Sequence, residues 1–207
     1  MRTIVYVDAF NLYYGCLKGT PYRWLNIQKL CELLMPKNNI VAVKYFTALV
    51  SERPNDPGQP MRQQTYLRAL RTLPTTQIVL GHYLTHNVWM PAVALPGAKQ
   101  QYVEVIKTEE KGSDVNLATH MLHDAHLNRF DVAVVISNDS DLLAPIKLVR
   151  TDLRKKVGVL NPQKNPSRAI LPHIDFFKQI RRGVLEEAQF PEELSDLHGT
   201  FTKPGLW

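Results

Sequence analysis

The chain has 207 residues, of which 44% are hydrophobic and 21% charged, a composition that excludes fibrous and disordered classes. Its net charge is +6, but residues 150–182 hold nine Lys/Arg against Asp152 and Asp175, while 183–207 hold five acids and only Lys203. A basic stretch of this kind suits a polyanion partner; its plainer reading is a solvated basic face.

The length predicts one domain over 1–207 with a full hydrophobic core, its tail from about 183 only partly regular. Cys16 and Cys31 show no CxxC spacing and are read as free thiols of a reducing compartment. The N-terminus MRTIVYVDAFN has no signal-peptide pattern, and no apolar run nears the roughly 20 residues of a membrane span. The expected location is cytoplasmic, with no membrane partner.

Along the chain, TIVYV (3–7) is a continuous apolar, β-branched run, the signature of a strand buried on both faces. Helical spacing follows from Leu25 to Met35, closed by Pro36, and then a strand over 40–50. SERPNDPGQP (51–60) reads as a loop. A helix is expected over 61–73, with Tyr66, Leu67, Leu70 and Leu73 on one face, and a strand over 77–81. Two β-like runs within 86–107 flank Pro96-Gly97 and read as a β-hairpin. A helix over 113–127 has Ser113 as its expected N-cap; strand 131–136, helix 140–150 and strand 156–160 follow. Strands alternating with helices predict an α/β fold with a mostly parallel sheet covered on both faces and a hairpin excursion. In such sheets ligands bind beyond the carboxyl ends of the strands.

Three stretches carry carboxylates at those ends. Asp8 directly follows the first buried strand, with Asn11 three residues on; Asp is also a favoured helix N-cap. Ser137-Asn138-Asp139-Ser140-Asp141 follows the strand 131–136 and also fits a capping sequence. Two aspartates one residue apart repel unless a cation or solvent intervenes. Asp114 falls in the first turn of its helix, where the helix dipole alone favours an acid. Lys107 and Lys111 beside it can contact phosphate or neutralise Glu109 and Glu110. His120, His123 and His126 recur on one helix but cannot all face one ion, and are read as ordinary helix-face residues. No phosphate-binding glycine motif and no nucleophile elbow occurs.

Together VDAFNLY, EEKGSDVNLATHML and VVISNDSDLLAPI resemble the NYN domain, a branch of the PIN-like nuclease superfamily with LabA-like bacterial members. The closing QFPEELSDLHGTFTKPGLW is similar to the tail of bacterial members, so the resemblance covers nearly the whole chain. It implies a Rossmann-like three-layer α/β/α sandwich, an acidic pocket for Mg²⁺ or Mn²⁺, and hydrolysis of single-stranded or structured RNA. By position, the pocket acids are Asp8, Asp114, Asp139 and Asp141, with Asn11 beside them. Asn138 stands where many members have Gly, with any positive-φ requirement falling on it, and Ser113 stands at a commonly apolar position.

The resulting expectation is a Mg²⁺- or Mn²⁺-dependent endoribonuclease with Asp8, Asn11, Asp114, Asp139 and Asp141 as catalytic residues. Lys107, Lys111, Arg154, Lys155, Arg181 and Arg182 are the expected RNA-backbone contacts. Two alternatives stand beside it: a nucleic-acid-binding regulatory module that cleaves weakly or not at all, and a metal-dependent phosphatase or 5′-nuclease.

Overall fold

The structure, a computed structural model, describes residues 1–52, 54–93 and 99–207. Its centre is β1 (Arg2–Asp8), buried along six of its seven residues because its side chains serve two cores at once. β2 (Asn39–Thr47) and β3 (Thr76–Leu80) lie to one side of it, β6 (Val132–Ile136), β7 (Lys156–Asn161) and β8 (Phe176–Gln179) to the other. All neighbours pair in parallel, in the order β3-β2-β1-β6-β7-β8. With the intervening hairpin set aside, this is the doubly wound order whose direction reverses between β1 and β6.

The strand period of two divides the core. Val5, Val7, Val43, Tyr45, Val134 and Leu160 face one layer, built from α1 (Ala9–Leu12), α2 (Ile27–Leu34), α3 (Gln59–Arg71) and α6 (Arg182–Glu187). Ile4, Tyr6, Phe46, Ala133, Val135 and Val157 face α4 (Ser113–His126) and α5 (Leu143–Thr151). The expected three-layer α/β/α sandwich is therefore the observed one. Within the second layer Asp124 is fully buried, accepting from Tyr6 Oη (2.8 Å), Lys44 Nζ (2.5 Å) and Arg129 Nη1 (2.9 Å). Burial pushes its carboxyl up, but these donors outweigh it and hold the group below the usual carboxylate range.

The hairpin is longer than expected: β4 (His82–Pro91) pairs with β5 (Tyr102–Lys111) as an antiparallel ribbon outside the main sheet. The turn at Pro96-Gly97 lies outside the described residues. Trp89 and Ile106 are 67% and 75% exposed on the ribbon. Its base packs tightly. A Cβ on Gly81 would sit 2.6 Å from Glu110 Oε1 and 2.7 Å from Lys111 O, so glycine is required where the ribbon leaves β3.

Several local expectations are corrected. A short helix, α1, and one π turn (Tyr13–Leu17) follow Asp8 directly. α3 starts inside the stretch read as a loop. Ser113 does not cap α4: Gly112, at φ 96°, occupies that position, and the buried Ser113 amide donates to Glu110 Oε1 from the ribbon (3.1 Å). The region after β7 is more regular than read. It contains β8, α6 and a small antiparallel pair, β9 (Glu193–Asp196) and β10 (Gly199–Thr202). Phe201 and Trp207 pack against Trp24.

Candidate functional site

The switch point between β1 and β6 gathers the sequence-predicted acids. Asp8 ends β1 level with Phe46 of β2 and is 5% exposed. Its Oδ1 accepts from the Asn11 amide (2.9 Å), capping α1, so the cap reading of Asp8 is correct. Its Oδ2 accepts from Ser137 Oγ (2.9 Å), at the end of β6. Ser137 Oγ in turn accepts from the Asp139 amide (3.1 Å), and Asp139 Oδ1 caps the next turn through the Asp141 amide (3.0 Å). Each cap bond uses only part of a carboxylate's accepting capacity.

Electrostatics join Asp114 to this pair. Burial pushes Asp8 up to about 6, and the negative charges of Asp114 and Asp139 add to that, against the donors Asn11 and Ser137. Asp114 is also raised, by burial first and then by Asp139, Glu110 and Asp141. Among the described residues no ion pair reaches any of these five acids. Nor, among the same residues, do three His, Cys, Asp or Glu side chains form a ready metal-binding group. The acids act on one another electrostatically at the switch point, the place where a doubly wound sheet has its ligand crevice.

Asn11 serves as a strut. Its Oδ1 accepts from the Asn138 amide (3.1 Å), and Gln163 Nε2 approaches it at 3.4 Å. Asn138 does not carry the positive φ that its replacement of Gly suggested; among the described residues only Asn128 and Arg154 do so outside glycine. Its amide instead braces the loop after β7, donating to Asn165 O (3.0 Å) and accepting from the Ser167 amide (2.7 Å).

The expected RNA contacts divide by location. Lys111 ends the ribbon beside Gly112 and α4; Lys107 lies farther out on β5, and both are paired to Glu109, at 3.3 Å and 2.8 Å. Arg181 and Arg182 follow the carboxyl end of β8, on the same sheet edge as the acids, although Arg182 Nε is engaged by Tyr22 Oη (2.7 Å). Arg154 and Lys155 precede β7, and so lie at the amino edge of the parallel sheet, opposite the acids. Lys155 there bonds Asn128.

Sequence reasoning passed over Ser137, Glu110 and Gln163 as site residues. Ser137 could be found as the hydroxyl that directly ends the buried run of β6. Gln163 gives no such signal, since only the fold brings it to Asn11, 152 positions away. A second feature is a cavity of about 120 Å³ whose lining includes Phe10, Tyr13, Tyr14, Tyr83 and Trp207 as well as Arg23, Asp56 and Arg62. Ala9, the neighbour of Asp8, also lines it.

Comparison with known proteins agrees with this architecture. The chain is 30% identical over 236 residues to 6-hydroxy-3-succinoylpyridine 3-monooxygenase HspA of Pseudomonas putida (strain DSM 28022 / S16), covering 100% of this chain and 75% of that protein. Among solved structures, it is similar to VPA0982, a protein of unknown function from Vibrio parahaemolyticus RIMD 2210633. There the TM-score is 0.59 at 18% identity, over 87% of this chain and 93% of that one, a likeness of fold. The family model of the NYN domain matches residues 2–175, and the chain belongs to that family, part of a nuclease-like superfamily.

Proposed function

We propose that the protein is a metal-dependent endoribonuclease that hydrolyses RNA phosphodiester bonds at the β1–β6 crevice. The observation that carries the reading is the convergence of Asp8, Asp114 and Asp139: the carboxyls of Asp8 and Asp114 are raised by burial and then by neighbouring acids, Asp139 among them, with no ion pair to any of the three among the described residues. Such a set favours binding of a cation, and an all-oxygen donor set suits Mg²⁺ or Mn²⁺ better than zinc. Asp8 and Asp139 are the direct ligands in this reading; Asp114 and Asp141 act through water. When bound, such an ion activates water and offsets charge on the scissile phosphate.

The chain's own residues do the rest. Asn11 and Ser137 fix the Asp8 carboxylate, and Ser137 and the Asp141 amide fix Asp139. Lys111, Arg181 and Arg182 hold the RNA backbone on the same edge. The test is cleavage of single-stranded and structured RNA by wild type and Asp8→Asn in Mn²⁺ and in EDTA. The expected result is cleavage by wild type in Mn²⁺ alone. Binding without cleavage would favour the regulatory module, and turnover of a phosphomonoester alone the phosphatase.

The HspA relative supports a second reading, ring hydroxylation of a substituted pyridine, and the aromatic cavity could seat such a ring. At ring carbon 3 the succinoyl group must leave: one oxygen atom of O₂ is inserted between ring and acyl carbon, the other becomes water with two electrons from a reduced nicotinamide or flavin, and hydrolysis of the resulting ester frees the 3-hydroxy ring and the carboxylic acid. Hydroxylation of 6-hydroxy-3-succinoylpyridine with those reactants, and no RNA cleavage, would replace the nuclease reading.

A further inference from the structure

The aromatic cavity combines ring surfaces with one unpaired positive charge. Phe10, Tyr13, Tyr14, Tyr83 and Trp207 line it, and each keeps some solvent-accessible surface. Tyr83 packs edge-on against Phe10 and Tyr13 against Tyr14, at 6.0 Å and 5.3 Å between centroids. These pairings hold the rings in place as walls.

Three charged side chains share the lining. Arg62 Nη2 donates to both oxygens of Asp56, at 2.5 Å each, so those two charges neutralise one another. Arg23 is different. Its Nε donates to Thr20 O (3.2 Å) and its Nη2 to Leu206 O, both uncharged carbonyls. Its guanidinium lies 5.8 Å from the centre of the Trp207 ring. Among the described residues no carboxylate pairs with it, and it is only partly buried. The two carbonyls hold the guanidinium at the lining and leave the Nη1 N–H groups to donate elsewhere. A fixed guanidinium with open donors suits a carboxylate. The lining carries a net of one positive charge, which matches one negative charge on the occupant. About 120 Å³ is of the order of the roughly 150 Å³ cavity that takes one benzene ring, so one flat ring fits.

We propose that this cavity is a binding site for a monocyclic aromatic carboxylate, its ring among the aromatic walls and its carboxylate accepting from Arg23 Nη1. The proposal rests on neither reading of the reaction, and the presence or absence of RNA cleavage leaves it standing.

The test is calorimetric titration of the whole chain with three probes of similar size. Benzoate has ring and charge, benzamide the ring without the charge, and cyclohexanecarboxylate the charge without the flat ring. Benzoate should bind with a Kd below about 1 mM. Benzamide should bind about tenfold more weakly, the scale of one charge-assisted hydrogen bond, and cyclohexanecarboxylate about fivefold more weakly. Arg23→Gln should bind benzoate no better than benzamide, and Arg23→Lys should restore part of the preference. Because Arg23→Gln also gives up bonds to Thr20 and Leu206, a second variant leaves Arg23 intact. Val50→Phe fills the lining from a partly buried position and should weaken benzoate at least about tenfold. Thermal melts confirm that each variant is folded. Equal affinity of wild type for benzoate and benzamide overturns the proposal, since Arg23 would then serve only to tie down the 201–207 segment. So does an unchanged benzoate affinity in Val50→Phe, a preference for benzoate that survives in Arg23→Gln, or no binding of benzoate up to about 10 mM.

Discussion

Ser137 donates its hydroxyl to Asp8 Oδ2 at 2.9 Å, while the same oxygen accepts the Asp139 amide at 3.1 Å. One small side chain thus locks the carboxyl ends of β1 and β6 together. Ser137→Ala should cost about 1–3 kcal/mol at neutral pH, because a buried carboxylate loses a donor and an amide its acceptor. Near pH 4, where Asp8 is protonated, the loss should be smaller. Denaturant titrations at both pH values check this; an equal loss at both would deny the carboxylate's part.

The raised Asp8 carboxyl has its own pH signature. Below about pH 4 folded and unfolded chains both hold the proton; between there and about 6 only the folded chain does. Stability in EDTA should therefore fall as pH rises through that window and level off above it. Asp8→Asn keeps an acceptor for the Asn11 amide and should remove this slope, leaving the variant more stable than wild type at pH 7 by roughly 2–3 kcal/mol. Mn²⁺ should stabilise wild type and not the variant. A variant less stable than wild type in EDTA would mean that the cap outweighs the charge.

Asp124 holds Lys44, which is itself buried. Asp124→Ala should destabilise by about 3–5 kcal/mol, since it strands a buried ammonium. Lys44→Met with Asp124→Leu should recover much of that loss. Thermal melts of the single and double variants read the coupling; strict additivity would show that the pair acts independently.

Gly158 lies under the Phe176 ring, and a Cβ there would come within 2.1 Å of it. Gly158→Ala should destabilise by about 1–3 kcal/mol or displace β8. Adding Phe176→Leu should cost less than Phe176→Leu costs in the wild type. Equal costs in both backgrounds would clear the ring of blame.

If Arg181 and Arg182 hold RNA, changing both to Ala should weaken binding for all sequences alike and flatten its salt dependence. Arg154 and Lys155, at the opposite edge, supply the control: changing both to Ala should leave affinity and slope unaltered. Affinity over a salt series distinguishes the pairs, and a larger effect from Arg154 and Lys155 would move the RNA to the other edge.

What could be read from the sequence follows from what each element is buried against. β1 and β6 are apolar without a break because both faces meet helices, and their abrupt end in Asp8 and in Ser137-Asn138-Asp139 marked the candidate site. β8 escaped notice because an edge strand of four residues, three half-buried and one exposed, has too little pattern. α1 is a single turn, too short for a helical period to show. The mistaken cap at Ser113 has a tertiary cause: Glu110 reaches its amide from the ribbon. The aromatic cavity was unreadable because α1, the end of β2, α3, the ribbon base and Trp207 each supply one wall.

The ribbon leaves and rejoins the body at one place, with His82 paired to Lys111. Ladder pairs added or removed beyond Thr85 and Thr108 would move its outer end while Tyr83 and Glu110 kept their stations at cavity and crevice. Length in this segment is mechanically decoupled from the parallel sheet. The ribbon's reach can therefore be changed by insertion alone, because its outer end and the candidate site sit at opposite ends of the same two strands.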